Sequence, residues 1–209
     1  MAQVLKDNIR DDIIESAREE FLENGYDRSS MRRIAQRSRI TVGNLYRYFK
    51  SKEDLNEIIV SKTYEEINKV LQKVTGDVVS IGKDVSGVPF SLDELSKMMN
   101  SLVDGLMKVY EHHRIELNIL MMESRLNEQI TSWFAGLIAR LIGENYDVDP
   151  DSSSVKTLAR SYAIAIFHGL KSMFKEADTD IVTLTNMVRI YLNSFVNILR
   201  QDLAQLEGK

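Results

Sequence analysis

Arg28, Arg32, Arg33, Arg37, Arg39, Arg47, Lys50 and Lys52 fall in a stretch of 25 residues that contains no Asp or Glu. The whole chain of 209 residues carries a formal charge of −4, so a stretch at +8 leaves −12 for the remainder. Basic side chains segregated this sharply suit an array of phosphates, because each cation set against a polyanion releases condensed counterions. A solvated helix face is the ordinary alternative, and the complete exclusion of acids argues against it. Between the cations stand Ser30, Thr41, Asn44, Tyr46 and Tyr48, with the small residues Val42 and Gly43. Hydroxyls and an amide can bond phosphate oxygens and base edges, and small residues allow close approach.

Other chemistries find less support. Among His112, His113 and Glu116, a histidine and the glutamate three or four positions apart could share a helix face as two metal ligands. No third ligand is at hand, so exposed polar residues at a helix junction are the better reading and no metal is expected. The chain has no cysteine, which excludes disulfides, thiolate zinc and a cysteine nucleophile. A helical-bundle enzyme using His113 and Glu116 would need a Glu-x-x-His pair of the di-iron type, which is absent, and would leave the basic stretch unexplained. No catalytic residue and no cofactor is expected. The N-terminus lacks the apolar run of a signal peptide, and no stretch approaches the roughly 20 apolar residues of a membrane span, so a cytoplasmic location is expected.

The elements that must position the basic stretch are helices. Two prolines and ten glycines leave few breaks, and strict alternation is hard to find. Ile9, Ile13, Ile14, Ala17 and Phe21 form one apolar stripe and predict a helix over 8–23, stopped at Asn24-Gly25. A short helix follows over 30–38, capped by Ser29 or Ser30, and a third runs from Thr41 to near Phe49. Ser51 to Asp54 reads as a capping box opening a helix to about 74, with Leu55, Ile58, Ile59, Ile67, Val70 and Leu71 inward. Residues 75–89 read as a surface loop. Phe90, Ser91 and Glu94 then cap helices over 92–111, 114–123, 126–144, 154–176 and 180–206. The expected fold is all-α with about nine helices, divided as 1–50 and 51–209.

The run from Ser30 to Phe49 has the build of a helix-turn-helix, with Ile34, Ala35, Ile40, Leu45 and Phe49 bracing two short helices. The segment Ser29–Leu55, with Ile34-Ala35, Gly43 to Phe49 and Ser51 to Leu55, resembles the TetR family of transcriptional regulators over about the first quarter of the chain. That resemblance implies a DNA-binding regulator, usually a repressor. It implies phosphate contacts from Tyr46, Tyr48 and Lys52, and base contacts from the region of Thr41, Val42, Gly43 and Asn44. Ser30 and Arg32 would lie near the DNA backbone, and Arg47 faces outward beside them. Arg39 departs from the family pattern, which has glycine in the turn. Either the turn avoids positive φ or Arg39 tolerates it.

In the larger half, each of the last two helices carries two adjacent apolar rows, one more than a single neighbour needs. The resemblance implies that they pair with a second copy, and Tyr162, Ile166, Met173, Tyr191, Phe195 and Leu199 are the expected interface. A homodimer would set two reading helices about 34–36 Å apart on a pseudo-palindromic operator in double-stranded DNA. Met107, Tyr110, Met121, Trp133 and Phe167 could line a site for a small apolar or amphipathic effector, an inducer that releases the DNA. A similar DNA-binding protein without an inducer, acting in chromosome organisation, is the alternative.

Overall fold

A computed structural model describes residues 2–75, 92–176 and 178–207. Among them are eight helices and no strand: α1 (Ala2–Asn24), α2 (Met31–Arg37), α3 (Val42–Leu45), α4 (Lys52–Thr75), α5 (Leu92–Met121), α6 (Ser124–Tyr146), α7 (Ser153–Glu176) and α8 (Ile181–Glu207). The all-α expectation holds. The count differs from nine because the helices expected over 92–111 and 114–123 are one helix with a kink at His113 (φ −138°, ψ 42°). The expected loop beyond Thr75 and the cap at Phe90-Ser91 lie outside the described residues.

The chain forms two compact units, Met1–Glu65 with His113–Ser124, and Glu66–His112 with Arg125–Lys209. The division on the α4 side therefore falls inside that helix, between Glu65 and Glu66, and not at the start of the helix near residue 50. The first unit also takes in the end of α5.

In the first unit, Ile13, Ala17 and Phe21 of α1 are fully buried, as are Ile34 of α2 and Leu45 of α3. Leu55 and Ile59 of α4 and Leu117, Ile119 and Leu120 of α5 complete this core. Ile58 departs from the expected inward stripe and is exposed. Gly25 closes α1 in the left-handed region (φ 76°), its N–H returning to the Phe21 carbonyl at 2.8 Å.

In the second unit, α7 and α8 come so close at Gly169 that a Cβ there would lie 2.1 Å from the Tyr191 hydroxyl. The Tyr191 ring lies over that glycine, and its hydroxyl donates to the Ala165 carbonyl at 2.5 Å. No helix of the described residues is long and apolar enough to cross a membrane.

Candidate nucleic-acid interface

Local chemistry sets the two short helices. Ser30 caps α2, its Oγ accepting from the Arg33 N–H at 3.3 Å. Ser29, the other possible cap, is instead buried and donates its hydroxyl to the carbonyls of Gly25 (2.6 Å) and Glu20 (3.2 Å). Thr41 caps α3 by accepting from Asn44 N–H at 3.1 Å. Beyond Leu45 the chain tightens, with Arg47 and Tyr48 N–H groups reaching carbonyls three residues back. The α-helix therefore ends at Leu45, although helical hydrogen bonding continues to Phe49, whose N–H returns to Leu45 at 3.1 Å.

The turn between the helices settles the question posed by Arg39. Its φ is 56°, in the left-handed region, so the turn keeps the conformation and a β-carbon is carried there. That costs about 1–2 kcal/mol relative to an unstrained backbone. Gln36 O accepts from its N–H at 3.2 Å, and its side chain is exposed.

Burial of Leu45 orients the outward face of α3. Thr41, Val42, Gly43 and Arg47 are exposed, Tyr46 is 51% exposed, and Asn44 and Tyr48 are half-buried. Tyr46 is therefore not a packed core aromatic. A Cβ built on Gly43 meets no atom within 4 Å, so this glycine is not required by the protein's own packing. Ser30 is half-buried at its cap and Arg32 is exposed on the first turn of α2.

The eight cations divide by what they touch. Arg37 binds three carboxylates of α1: Glu20 through Nε at 3.0 Å, Glu19 at 3.4 Å, and Glu23 through both terminal nitrogens. The Glu23 hydrogen bond above all, opposed by some desolvation and helped by Glu20, holds the Arg37 guanidinium above its ordinary pKa. Arg33 pairs with the other oxygen of Glu20 at 3.3 Å, and Glu20 itself is only 1% exposed. Arg28 and Lys52 bond backbone carbonyls. Lys52 Nζ reaches Tyr26 O at 2.7 Å and Ser29 O at 3.1 Å and sits 4.2 Å from the Tyr26 ring centroid. Arg32, Arg39, Arg47 and Lys50 have no such partner among the described residues and are exposed.

The sequence reading counted all eight cations as one footprint. What it missed is Glu20, whose burial on the inner face of α1 makes Arg33 and Arg37 braces for α2. The signal available was an acidic residue three positions from Ala17 and one before Phe21, on the apolar stripe. Arg10 is a second omission, its guanidinium carbon 5.5 Å from the Phe49 ring centroid. At the entrance to α4, Ser51 Oγ accepts from Asp54 N–H, and Asp54 accepts in turn from Lys50 N–H at 3.0 Å. Tyr26 donates its hydroxyl to Glu53 at 3.0 Å. Burial first, then that bond, pushes the Tyr26 phenol well above its usual range.

The residues expected at other sites are placed as follows. Met107, Tyr110, Trp133 and Phe167 are buried in the second unit and Met121 in the first. Tyr110 stacks on Phe174 at 5.0 Å, and Trp133 packs edge-on to Phe134 at 4.9 Å. Trp133 Nε1 is buried without a hydrogen-bond partner. A small cavity of about 40 Å³ in the second unit is lined by other residues, among them Met99, Phe134 and Leu192. It has room for a water or two and not for a ligand.

Three of the residues expected at a protomer interface, Tyr162, Ile166 and Phe195, line that same cavity inside the unit. Tyr191 packs edge-on to Phe195 at 5.2 Å, and Met173 is half-buried. The side chain of Leu199 lies outside the described residues. The large apolar side chains that α7 and α8 leave exposed are Leu158, Ile164, Val182, Met187, Ile190 and Ile198, with Ile190 at 72%. Adjacent rows on one helix are 100° apart, and packing takes parts of both, which periodicity alone does not reveal. Among the described residues no three of His, Asp or Glu converge on a metal position, and Glu116 pairs with Arg18 at 3.1 Å.

Two short helices at a tight turn, the second offering a capped N-terminus and an uncluttered outer face, define a helix-turn-helix protein. The family model described as bacterial regulatory proteins, tetR family, matches residues 13–57. The segment from α1 into α4 is thus similar to the DNA-binding domain of that family. Two curated proteins of Bacillus subtilis (strain 168) are each 35% identical to this chain, the Fatty acid metabolism regulator protein over 66 residues and the Probable HTH-type transcriptional regulator YttP over 74. The matched stretches are 32% and 35% of this chain, and the chain spans only about a third of either relative, 32% and 36%. A crystal structure of a TetR family transcriptional regulator from Chloroflexus aurantiacus J-10-FL shares the fold along 94% of this chain and 93% of its own, with a TM-score of 0.56 and 18% identity.

Proposed function

We propose that the protein is a DNA-binding transcriptional regulator that reads an operator with the exposed face of α3. The observation that carries this is Gly43: it sits in the middle of that face, and nothing in the protein needs it to lack a side chain. A glycine inside a helix costs about 1 kcal/mol relative to alanine, so its presence calls for a reason outside the fold. Close approach of the helix to a groove supplies one. Around it, Thr41, Asn44, Tyr46, Arg47 and Tyr48 offer hydrogen bonds, and Arg32, Arg39 and Lys50 add charge at the rim. Lys52 reaches the same end of the motif, although its ammonium also holds two carbonyls.

The test is Gly43→Ala, assayed by thermal melting and by anisotropy with an operator selected from random duplexes. The melt should hold or rise while affinity drops about tenfold or more. An unchanged affinity would remove this face from the reading of bases.

The protein acts as a homodimer in this reading, on a pseudo-palindromic site. Support comes from Met187, Ile190 and Ile198 on α8 with Leu158 and Ile164 on α7, apolar side chains left without partners in one copy. Repression, and release by a small effector, follow the mode that the family resemblance implies. A reporter driven by the selected operator tests the direction, expression rising when the regulator is deleted.

A further inference from the structure

Within the second unit, α4 and α5 cross at a point of contact between Val70 and Gly105. A Cβ at Gly105 would lie 2.4 Å from Val70 Cγ1, so this close crossing depends on the glycine. Beside it opens a groove of about 520 Å³, within the range of roughly 300–1,000 Å³ usual for small-molecule sites. It is more than tenfold larger than the 40 Å³ cavity in the same unit.

The groove is basic along its rim and apolar at its base. Lys69 and Lys73 lie one turn apart on α4, and Lys108 and His112 one turn apart on α5, all four lining it. None of the three lysines has an ion-pair partner among the described residues. The acids on the wall are Glu66 and Asp104, and Asp104 is already bound to Arg189 at 2.7 Å. His112 Nδ1 lies 2.8 Å from the Lys108 carbonyl, which can only accept, so Nδ1 carries the proton and Nε2 is left for another partner. Val70, Val74 and Val109 supply the apolar surface. A surplus of cations here stands out in a chain that is −12 outside the basic stretch 28–52.

We infer that this groove binds a small organic phosphate, its anion held by Lys69, Lys73 and Lys108 and its apolar body against the three valines. Unpaired lysines act as point charges on a phosphate dianion, whereas a carboxylate offers half the charge. The inference stands whether or not the chain reads DNA.

The experiment titrates the full chain with 1-naphthyl phosphate, followed by the probe's own fluorescence, beside 1-naphthoate and inorganic phosphate. Saturable binding of 1-naphthyl phosphate is expected, at least fivefold tighter than either comparator. Replacing two exposed lysines, Lys69→Gln with Lys108→Gln, should weaken it by about tenfold without altering helicity. Lys156→Gln, outside the groove, should leave it unchanged. Absence of saturable binding, or equal affinity in the double variant, overturns the site. Equal affinity for naphthoate overturns the choice of phosphate, and equal affinity for inorganic phosphate overturns the role of the valines.

Discussion

Arg37→Ala and Glu20→Gln remove opposite ends of one ion pair, and the structure makes their costs unequal. Glu20 is 1% exposed, whereas Arg37 and Arg33 are 28% and 50% exposed at their side chains. Loss of Arg37 leaves a carboxylate buried on α1 with only Arg33, at 3.3 Å, to compensate it. Removing one partner of a fully buried pair costs about 3–5 kcal/mol, and the remaining Arg33 reduces this to about 3. Glu20→Gln withdraws the buried charge itself, and Arg37 keeps Glu19 and Glu23 and access to water. Its cost should approach that of one charge-assisted hydrogen bond in a half-exposed setting, about 1–2 kcal/mol. With Glu20 already neutral, the subsequent loss of Arg37 should cost only about 1 kcal/mol. The double variant should therefore be no less stable than Arg37→Ala alone, a coupling of about 2 kcal/mol. Urea unfolding of the four proteins measures it, with m constant across the set. Equal single costs that simply add would refute the account, because they would mean that Glu20 is solvated and α2 is not braced through it.

Three further outcomes are expected. Arg39→Gly relieves the positive φ and should raise stability by about 0.5–1 kcal/mol after the added unfolded-state entropy, while operator affinity falls with the lost charge; melting and anisotropy on the same variant separate the two. Ile190→Glu places a charge where 72% of an isoleucine is exposed, so the monomer should stay folded while sedimentation at micromolar concentration shifts from dimer to monomer. Glu53 is held below its ordinary pKa of 4.5 by its own N–H at the start of α4 first, then by Ser51 and the Tyr26 hydroxyl. Its folded value is the lower one, so its stabilisation is complete above pH 4.5 and is lost as pH falls through the depressed value. Glu53→Gln should flatten the decline in stability on that acid side, and an unchanged slope would remove Glu53 from the linkage.

Much of the fold was legible because it is written in local chemistry. Hydroxyl caps at Ser30, Thr41 and Ser51, a glycine after Asn24 and apolar stripes at helical spacing act within a few residues of themselves. The exposed face of α3 was legible for the same reason: once Leu45 is inward, its neighbours on the short helix must be outward. Even the kink at His113 left a trace, in the break between two expected helices. The charge of the basic stretch was legible as a sum, but its division was not. Whether an arginine meets a phosphate or a carboxylate of its own chain depends on what α1 brings opposite it, and Glu20 is 13 and 17 positions away.

The sequence by itself determined most of the helices, the helix-turn-helix and the outward set Thr41, Val42, Gly43, Tyr46 and Arg47. Tertiary packing decided that Arg33 and Arg37 pair with Glu20, that Tyr162, Ile166 and Phe195 line a cavity within the second unit, and that a groove of about 520 Å³ opens beside the crossing of α4 and α5. An apolar side chain at helical spacing states only that it is buried somewhere. Which neighbour buries it depends on helix crossings set by contacts such as Gly105 on Val70 and Gly169 on Tyr191, between residues distant in the chain.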